Sequence, residues 1–427
     1  MSKSRYWKES LRSFFLFVFS LGLSSAWAMS DTEIEARFNQ ALQESETGNL
    51  AEAIAIFESI LSERPGMDRV RMELALANFR ALNYASARSL AEQVLANPAT
   101  PEPVKGTVRA FLQEVEEQSH THLWTPYVSL GYIFDTNINV GPGTDTVDVG
   151  GATLLLGPAS TPQDSGGVQA NVGVGHRYLA PRTYQIGGDQ AALAWQSQVS
   201  LFRNQYIGEG DFNLNVISAQ TGPVLLAARQ WRLQLNAQAD HISIGNDSIA
   251  WYAGVTPGFT WFLGGRTALT ASFQAQDRDF TRSTLQDRDA LYLAGGLSLG
   301  HQFDTVINPS VNLGVQVFTE NADSSRRSNE GYSVNAGLNL QPFNNSNLYF
   351  NYNRRTRDYD GPEPVFVITR DEIEQRFIVG GNYRLSTDNL LDGLVLNASF
   401  THMENNSNVP IYEYEREVTV FSVSKDF

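Results

Sequence analysis

Cysteine does not occur anywhere in the 427 residues, which excludes disulfide staples, thiolate metal sites and a cysteine nucleophile. Its absence also excludes anchoring of this chain through an acylated cysteine. Charge is sparse: Asp, Glu, Lys and Arg make up 18% of the chain, and the balance is acidic, with 31 Lys+Arg against 46 Asp+Glu. A phosphate backbone needs a basic face, so this balance argues against a nucleic-acid partner. Beyond the N-terminus no stretch approaches the 18 consecutive apolar residues of a spanning helix. Nor is there a nucleophile elbow, a phosphate-binding glycine loop or a metalloprotease helix. The sequence therefore offers no catalytic residue, no cofactor site and no metal ligand. The chain is instead rich in glycine and aromatics, with 34 Gly, 24 Phe, 16 Tyr and 7 Trp. At such low charge, that composition suits a membrane β-protein better than a soluble enzyme.

Residues 1–28 read as an export signal. Lys3, Arg5, Lys8 and Arg12 form a basic start, residues 14–23 a short apolar run, and Ala26-Trp27-Ala28 a small-x-small cleavage site. The run is too short to span a bilayer as a helix. Removing those four basic residues and the acidic Glu9 leaves a mature charge of −18.

From residue 29 to 122 apolar residues recur at helical spacing, as in Ile34, Phe38 and Leu42, then Leu50, Ile54 and Phe57. A 34-residue period aligns Ala41 with Ala75 and Ala53 with Ala87; Gly48, Phe57 and Pro65 complete the first unit. This resembles the tetratricopeptide repeat, whose small residues let paired helices pack closely and whose proline closes the second helix. The second unit carries Leu82 in place of Gly48 and Ala91 in place of Phe57. Residues 104–118 read as a capping helix. Stacked repeats present a peptide-docking face. His120 and His122 lack a neighbouring carboxylate and read as a solvated pair between domains rather than a metal site.

The period changes to two after His122. Trp231, Leu233, Leu235, Ala237 and Ala239, for example, alternate with Arg232, Gln234, Asn236, Gln238 and Asp240. Many such runs last ten residues or more and carry aromatics near their ends, the pattern of an outer-membrane barrel with a polar lumen. About 14 runs occur between residues 123 and 427. With the helical domain in the periplasm, odd connections face outward and are longer, such as 139–167, 281–287, 323–328, 359–367 and 408–413. Even connections are tight, as at 227–228, 264–265 and 344–345. The predicted class is therefore a helical repeat domain followed by a 14-stranded antiparallel transmembrane β-barrel in the bacterial outer membrane, expected to be monomeric.

Two features of the barrel stand out. Directing Leu348, Phe350 and Tyr352 toward lipid sends Arg355 and Arg357 inward. Directing Ile373, Phe377, Val379 and Tyr383 outward sends Glu372, Glu374, Arg376 and Arg384 inward. Such charges can pair across the ladder, as structural filling or as a gate. At the end of the chain, Phe421, Val423 and the terminal Phe427 share one face and resemble the signal read by the barrel-assembly machinery; Lys425 departs from that pattern.

A short tetratricopeptide domain fused to a barrel of this size resembles the surface lipoprotein assembly modulator family. Residues 127–139, YVSLGYIFDTNIN, are similar to the segment that opens the family's barrel, with Asp135, Asn137 and Asn139 at the motif positions. The closing stretch 412–427 is similar as well. The resemblance implies translocation of client proteins, surface lipoproteins or secreted proteins, from periplasm to cell surface, with outer-membrane lipid as surroundings. A pore or polysaccharide exporter with a periplasmic repeat scaffold is the competing reading, although such exporters usually carry many more repeats. A lipid hydrolase using a lipid-facing Ser and His is a third, and no pattern ties His301 or His402 to a serine.

Overall fold

The computed structural model describes residues 30–387 and 391–427. The expected export signal lies outside the described residues.

Five helices come first: α1 (Asp31–Thr47), α2 (Leu50–Glu63), α3 (Asp68–Arg80), α4 (Tyr84–Ala96) and α5 (Glu102–Gln118). Ser30 starts α1 through a capping box with Glu33, which satisfies otherwise orphaned N–H groups. Gly48 stops α1 in the left-handed region at φ 95°, where a side chain would be strained. Leu82, the equivalent position one repeat later, adopts φ 62°. The turn geometry thus repeats although the glycine does not. Ala41, Ala53, Ala75 and Ala87 are fully buried, and Phe57 packs in the same core with Phe38, ring centroids 5.8 Å apart. Pro65 sits exposed just past the end of α2. Val108 and Val115 bury one face of α5 against α4, capping the stack.

The rest of the chain forms strands. In order they are β1 (His122–Asp135), β2 (Thr146–Val149), β3 (Ala152–Leu155), β4 (Ser165–Ile186), β5 (Asp189–Tyr206), β6 (Leu214–Ala227), β7 (Trp231–Ile244) and β8 (Asp247–Phe262). There follow β9 (Thr267–Phe280), β10 (Ala290–Gln302), β11 (Ser310–Ala322), β12 (Asn329–Leu340), β13 (Ser346–Glu363), β14 (Ile368–Arg384), β15 (Val395–Ser407) and β16 (Tyr414–Asp426). The short hairpin of β2 and β3 lies in the first outer connection; the other fourteen strands close an antiparallel barrel in sequence order. The seam joins β1 to β16, from Tyr127↔Asp426 to Asp135↔Val418. Closure leaves no unpaired sheet edge in lipid.

Alternation fixes which side chain faces which medium. Leu130, Leu313, Val317, Phe350, Phe377 and Phe421 stand exposed on the outer wall, while the lumen is polar. Proline disturbs the ladder where its missing N–H requires it: the β4–β5 register shifts across Pro181, between Leu179 and Thr183. The connection expected at 359–367 is shorter than the sequence suggests. β13 continues to Glu363 and pairs Pro362↔Thr369 and Glu363↔Ile368, so this hairpin stands above its neighbours. One outer turn, Gly245-Asn246, is tight, and the inner connection at 303–309 is longer than most on that side.

The helical stack rests on the inner turns of the barrel. Arg229 Nη1 donates to the Glu46 carbonyl (3.2 Å), Gln230 Nε2 to the Gly48 carbonyl (3.4 Å) and Asn83 Nδ2 to Gln190 Oε1 (3.5 Å). Ala228 packs against the core of the stack.

Candidate functional site

The lumen has two halves of different chemistry. Toward the inner mouth it is lined by amides. Gln198 Nε2 donates to the Tyr127 hydroxyl (3.2 Å), Gln220 Nε2 to Gln198 Oε1 (2.8 Å) and Asn236 Nδ2 to Gln220 Oε1 (3.1 Å). Primary amides both donate and accept, so each can pass a hydrogen bond to the next strand. A polar cavity of about 920 Å³ lies between Asn308, Asn347, Asn382 and Asn397.

Toward the outer mouth the lining becomes charged. Arg357 occupies the centre of the expected ladder: Nη2 lies 3.1 Å from Glu374 Oε2 and Nη1 lies 3.5 Å from Glu372 Oε2. Arg376 reaches Glu374 along its own strand at 3.1 Å. Arg355 is the backbone partner of Glu374 on the ladder, yet its guanidinium goes elsewhere, lying 4.0 Å over the Phe318 ring. Arg357 already engages both carboxylates, and the stacked pair of Tyr292 and Phe318 offers Arg355 a π face. Arg384 pairs with Asp426 at the inner rim (3.4 Å).

Charges missed by the sequence reading extend this network. Arg370 lies 3.8 Å from the ring centroids of both Tyr359 and Tyr412, and its Nε is 3.3 Å from Glu372 Oε1. Glu363 accepts from the Tyr412 hydroxyl (2.9 Å) and is flanked by Arg326, Arg327 and Arg370. Arg326 and Arg327 also hold Asp287 on the neighbouring outer loop. Burial would raise the Asp287 carboxyl, but these guanidiniums outweigh it and hold the group below the usual carboxylate range. Arg278 with Glu320 (2.9 Å) could have been placed inward by alternation alone. The outer-loop arginines carried no periodic signal. The network lines a cavity of about 630 Å³ that also includes Asn139 and Val140.

Asn139 and Val140 reach that cavity because the motif at the end of β1 clasps the first outer loop over the seam. Asp135 is fully buried. It receives Arg416 Nε at 3.0 and 3.1 Å, the Tyr206 hydroxyl at 2.9 Å and the Asn137 N–H at 3.0 Å. Asn137 donates to the Gly141 carbonyl and, across the seam, to the Glu415 carbonyl, both at 2.9 Å. Asn139 donates to the Thr161 carbonyl (2.8 Å) and accepts from the Gln163 N–H (3.0 Å). Both ends of the loop are therefore pinned beside the closing strand. Phe421, Val423 and Phe427 stand exposed on that strand's outer side, and the Phe427 N–H donates to the Pro126 carbonyl (2.9 Å).

Among the described residues no group of three or more His, Cys, Asp or Glu is placed to hold a metal. His122 stacks on His176 with ring nitrogens 3.0 Å apart, on the outer wall. His402 faces Glu417 and His301 bonds Thr267. His241 does bond a serine, Ser248 (2.9 Å), but no carboxylate among the described residues orients its other nitrogen.

Residues 124–427 match the surface lipoprotein assembly modifier family, and residues 36–106 match a tetratricopeptide repeat. This chain belongs to the surface lipoprotein assembly modifier family. A curated relative of that description, from Pasteurella multocida (strain Pm70), is 22% identical over 132 residues, 31% of this chain. The match covers only 24% of that relative's length. Among solved structures, a Pseudomonas aeruginosa FadL homologue is 11% identical, covering 72% of this chain and 90% of its own, with a TM-score of 0.36. The Acinetobacter baumannii outer membrane channel DcaP is 11% identical, covering 72% of this chain and 97% of its own, with a TM-score of 0.41. Family membership and the closed, apolar-walled barrel place this modifier-family protein in the outer membrane, with its helices on the periplasmic side. The family is described by surface lipoprotein assembly, and the closed barrel is a membrane-spanning fold.

Proposed function

We propose that the helical repeats engage a client protein in the periplasm and that the barrel delivers it, a surface lipoprotein or secreted protein, to the cell surface. The observation that carries this reading is the seating of a repeat stack, an architecture that presents docking faces, directly on the inner turns of a barrel with a polar lumen. A client held there faces a lumen of amides, which can exchange hydrogen bonds with a polypeptide without holding it in one register. The charged outer half and the clasped first loop act as the closure that a client displaces. Residues 29–122 form the client-engaging domain and residues 123–427 the conduit. Phe421, Val423 and Phe427 serve as the recognition face for the barrel-assembly machinery, and the barrel works as a monomer.

Reconstitution tests the reading. Proteoliposomes holding the purified protein are closed to small ions until a lipoprotein client is added on the helical side. Steady conductance without client would instead establish an open pore or polysaccharide exporter.

A further inference from the structure

Near the inner mouth a cavity of about 360 Å³ is lined by Arg177, Arg232, Gln196, Gln198, Gln220 and Asn236, among others. Gly222 forms part of its wall, and a Cβ there would come within 1.8 Å of the Leu235 carbonyl oxygen, so the wall stays smooth. Whereas Glu320, Glu372 and Glu374 line the outer cavity beside its arginines, Arg177 and Arg232 share their cavity with no carboxylate. Their Nε atoms are shielded from solvent and have no hydrogen-bond partner, and neither guanidinium is in an ion pair among the described residues. A shielded donor without an acceptor is costly, and a half-buried cation without a counter-charge adds to that cost. Two such groups opening on one cavity form a site that an anion would complete.

We propose that this cavity is an entry site that takes the side-chain carboxylates of an acidic, extended polypeptide segment of the client. The proposal rests on the translocation reading and adds the chemistry recognised at the threshold. Two observations favour a polypeptide over another polyanion. The amide ladder from Tyr127 to Asn236 runs beside the arginines and offers donors and acceptors in the manner of a backbone. The repeat stack also adjoins the site. Burial raises the Tyr84 phenol on α4, while nearby Arg177 lowers it and Glu114 of α5 raises it further. Glu114 forms no ion pair with Arg177 among the described residues. A client segment leaving the repeats would meet the guanidiniums first. Guanidinium and carboxylate match in a planar, bidentate fashion.

The test uses the full-length protein in micelles and a short fluorescent oligoglutamate peptide, followed by anisotropy. Wild type binds it with strong salt dependence. R177Q/R232Q weakens binding by about tenfold or more, R177K/R232K retains most of it, and oligoglutamine does not bind. Heat-modifiable migration confirms that each variant is folded. Equal affinity in R177Q/R232Q, no binding by wild type, or tighter binding of polygalacturonate than of oligoglutamate overturns the proposal; the last result would identify a sugar-acid site. Client display on intact cells is scored separately. Display without oligoglutamate binding defeats the entry site alone, while binding without display defeats the translocation reading and leaves the site standing.

Discussion

Replacing Asp135 by alanine probes the clasp at its centre. The carboxylate is fully buried and accepts from Arg416, Tyr206 and the Asn137 N–H. Its removal leaves the Arg416 guanidinium, itself 23% exposed, without its counter-charge. Breaking one partner of such a pair costs about 3–5 kcal/mol. The barrel's backbone ladder remains, so the protein still assembles. The loss appears as a lower temperature for conversion from the folded to the unfolded band in detergent electrophoresis. It appears also as protease cleavage within residues 140–164, because Asn137 no longer holds Gly141 against the closing strand. The double variant D135L/R416M removes both charges and recovers much of the lost stability, since an apolar pair carries no uncompensated charge. An Asp135→Ala protein that melts with wild type, or a double variant no better than the sum of the singles, would refute the clasp.

The remaining predictions concern other parts of the same structure. Arg357→Met removes one of two arginines from each of Glu372 and Glu374, leaving Arg370 and Arg376 in place, and lowers heat stability by about 1.5–3 kcal/mol, whereas Arg355→Met loses a cation–π contact of about 0.5–1 kcal/mol; equal effects in thermal melts would contradict the observed pairing. Gly48→Ala forces a side chain into the left-handed region and toward Arg229, so it weakens the helical stack by about 1–2 kcal/mol, read by hydrogen exchange in α1 and α2 with the barrel unchanged. The folded Asp287 carboxyl titrates below its unfolded value, so its contribution is present above that value and is lost only as pH falls through the lowered one. Protease sensitivity of the loops around Asp287 and Arg327 stays constant from about pH 7 to 5 and rises only below about 4; a transition near neutrality would contradict this.

Much of the architecture was legible because two periods carry it. Spacings of three and four marked the helices, and a period of two marked the strands and their lipid-facing sides, since an inverted register would place Arg357 and Glu374 in lipid. Alternation says which residues face inward but not which of them meet. Arg355 and Glu374 are backbone partners that do not pair, because the third dimension brought Phe318 to one and Arg357 to the other. Loop chemistry was less legible still. Glu363 ends β13 while Arg326 and Asp287 come from two separate outer connections, and no local spacing announces their meeting. The motif at Asp135, Asn137 and Asn139 was visible as a resemblance, but its partners Arg416 and Tyr206 lie 281 and 71 residues away.

Surface display of a lipoprotein client tests the central claim most directly. Cells make the client together with either the full chain or a form lacking residues 30–118, and heat-modifiable migration verifies that both barrels are folded in the outer membrane. Protease added to intact cells then measures the exposed fraction of client. The account predicts exposure with the full chain and retention of the client inside with the shortened one. Undiminished exposure without the helical stack would contradict it.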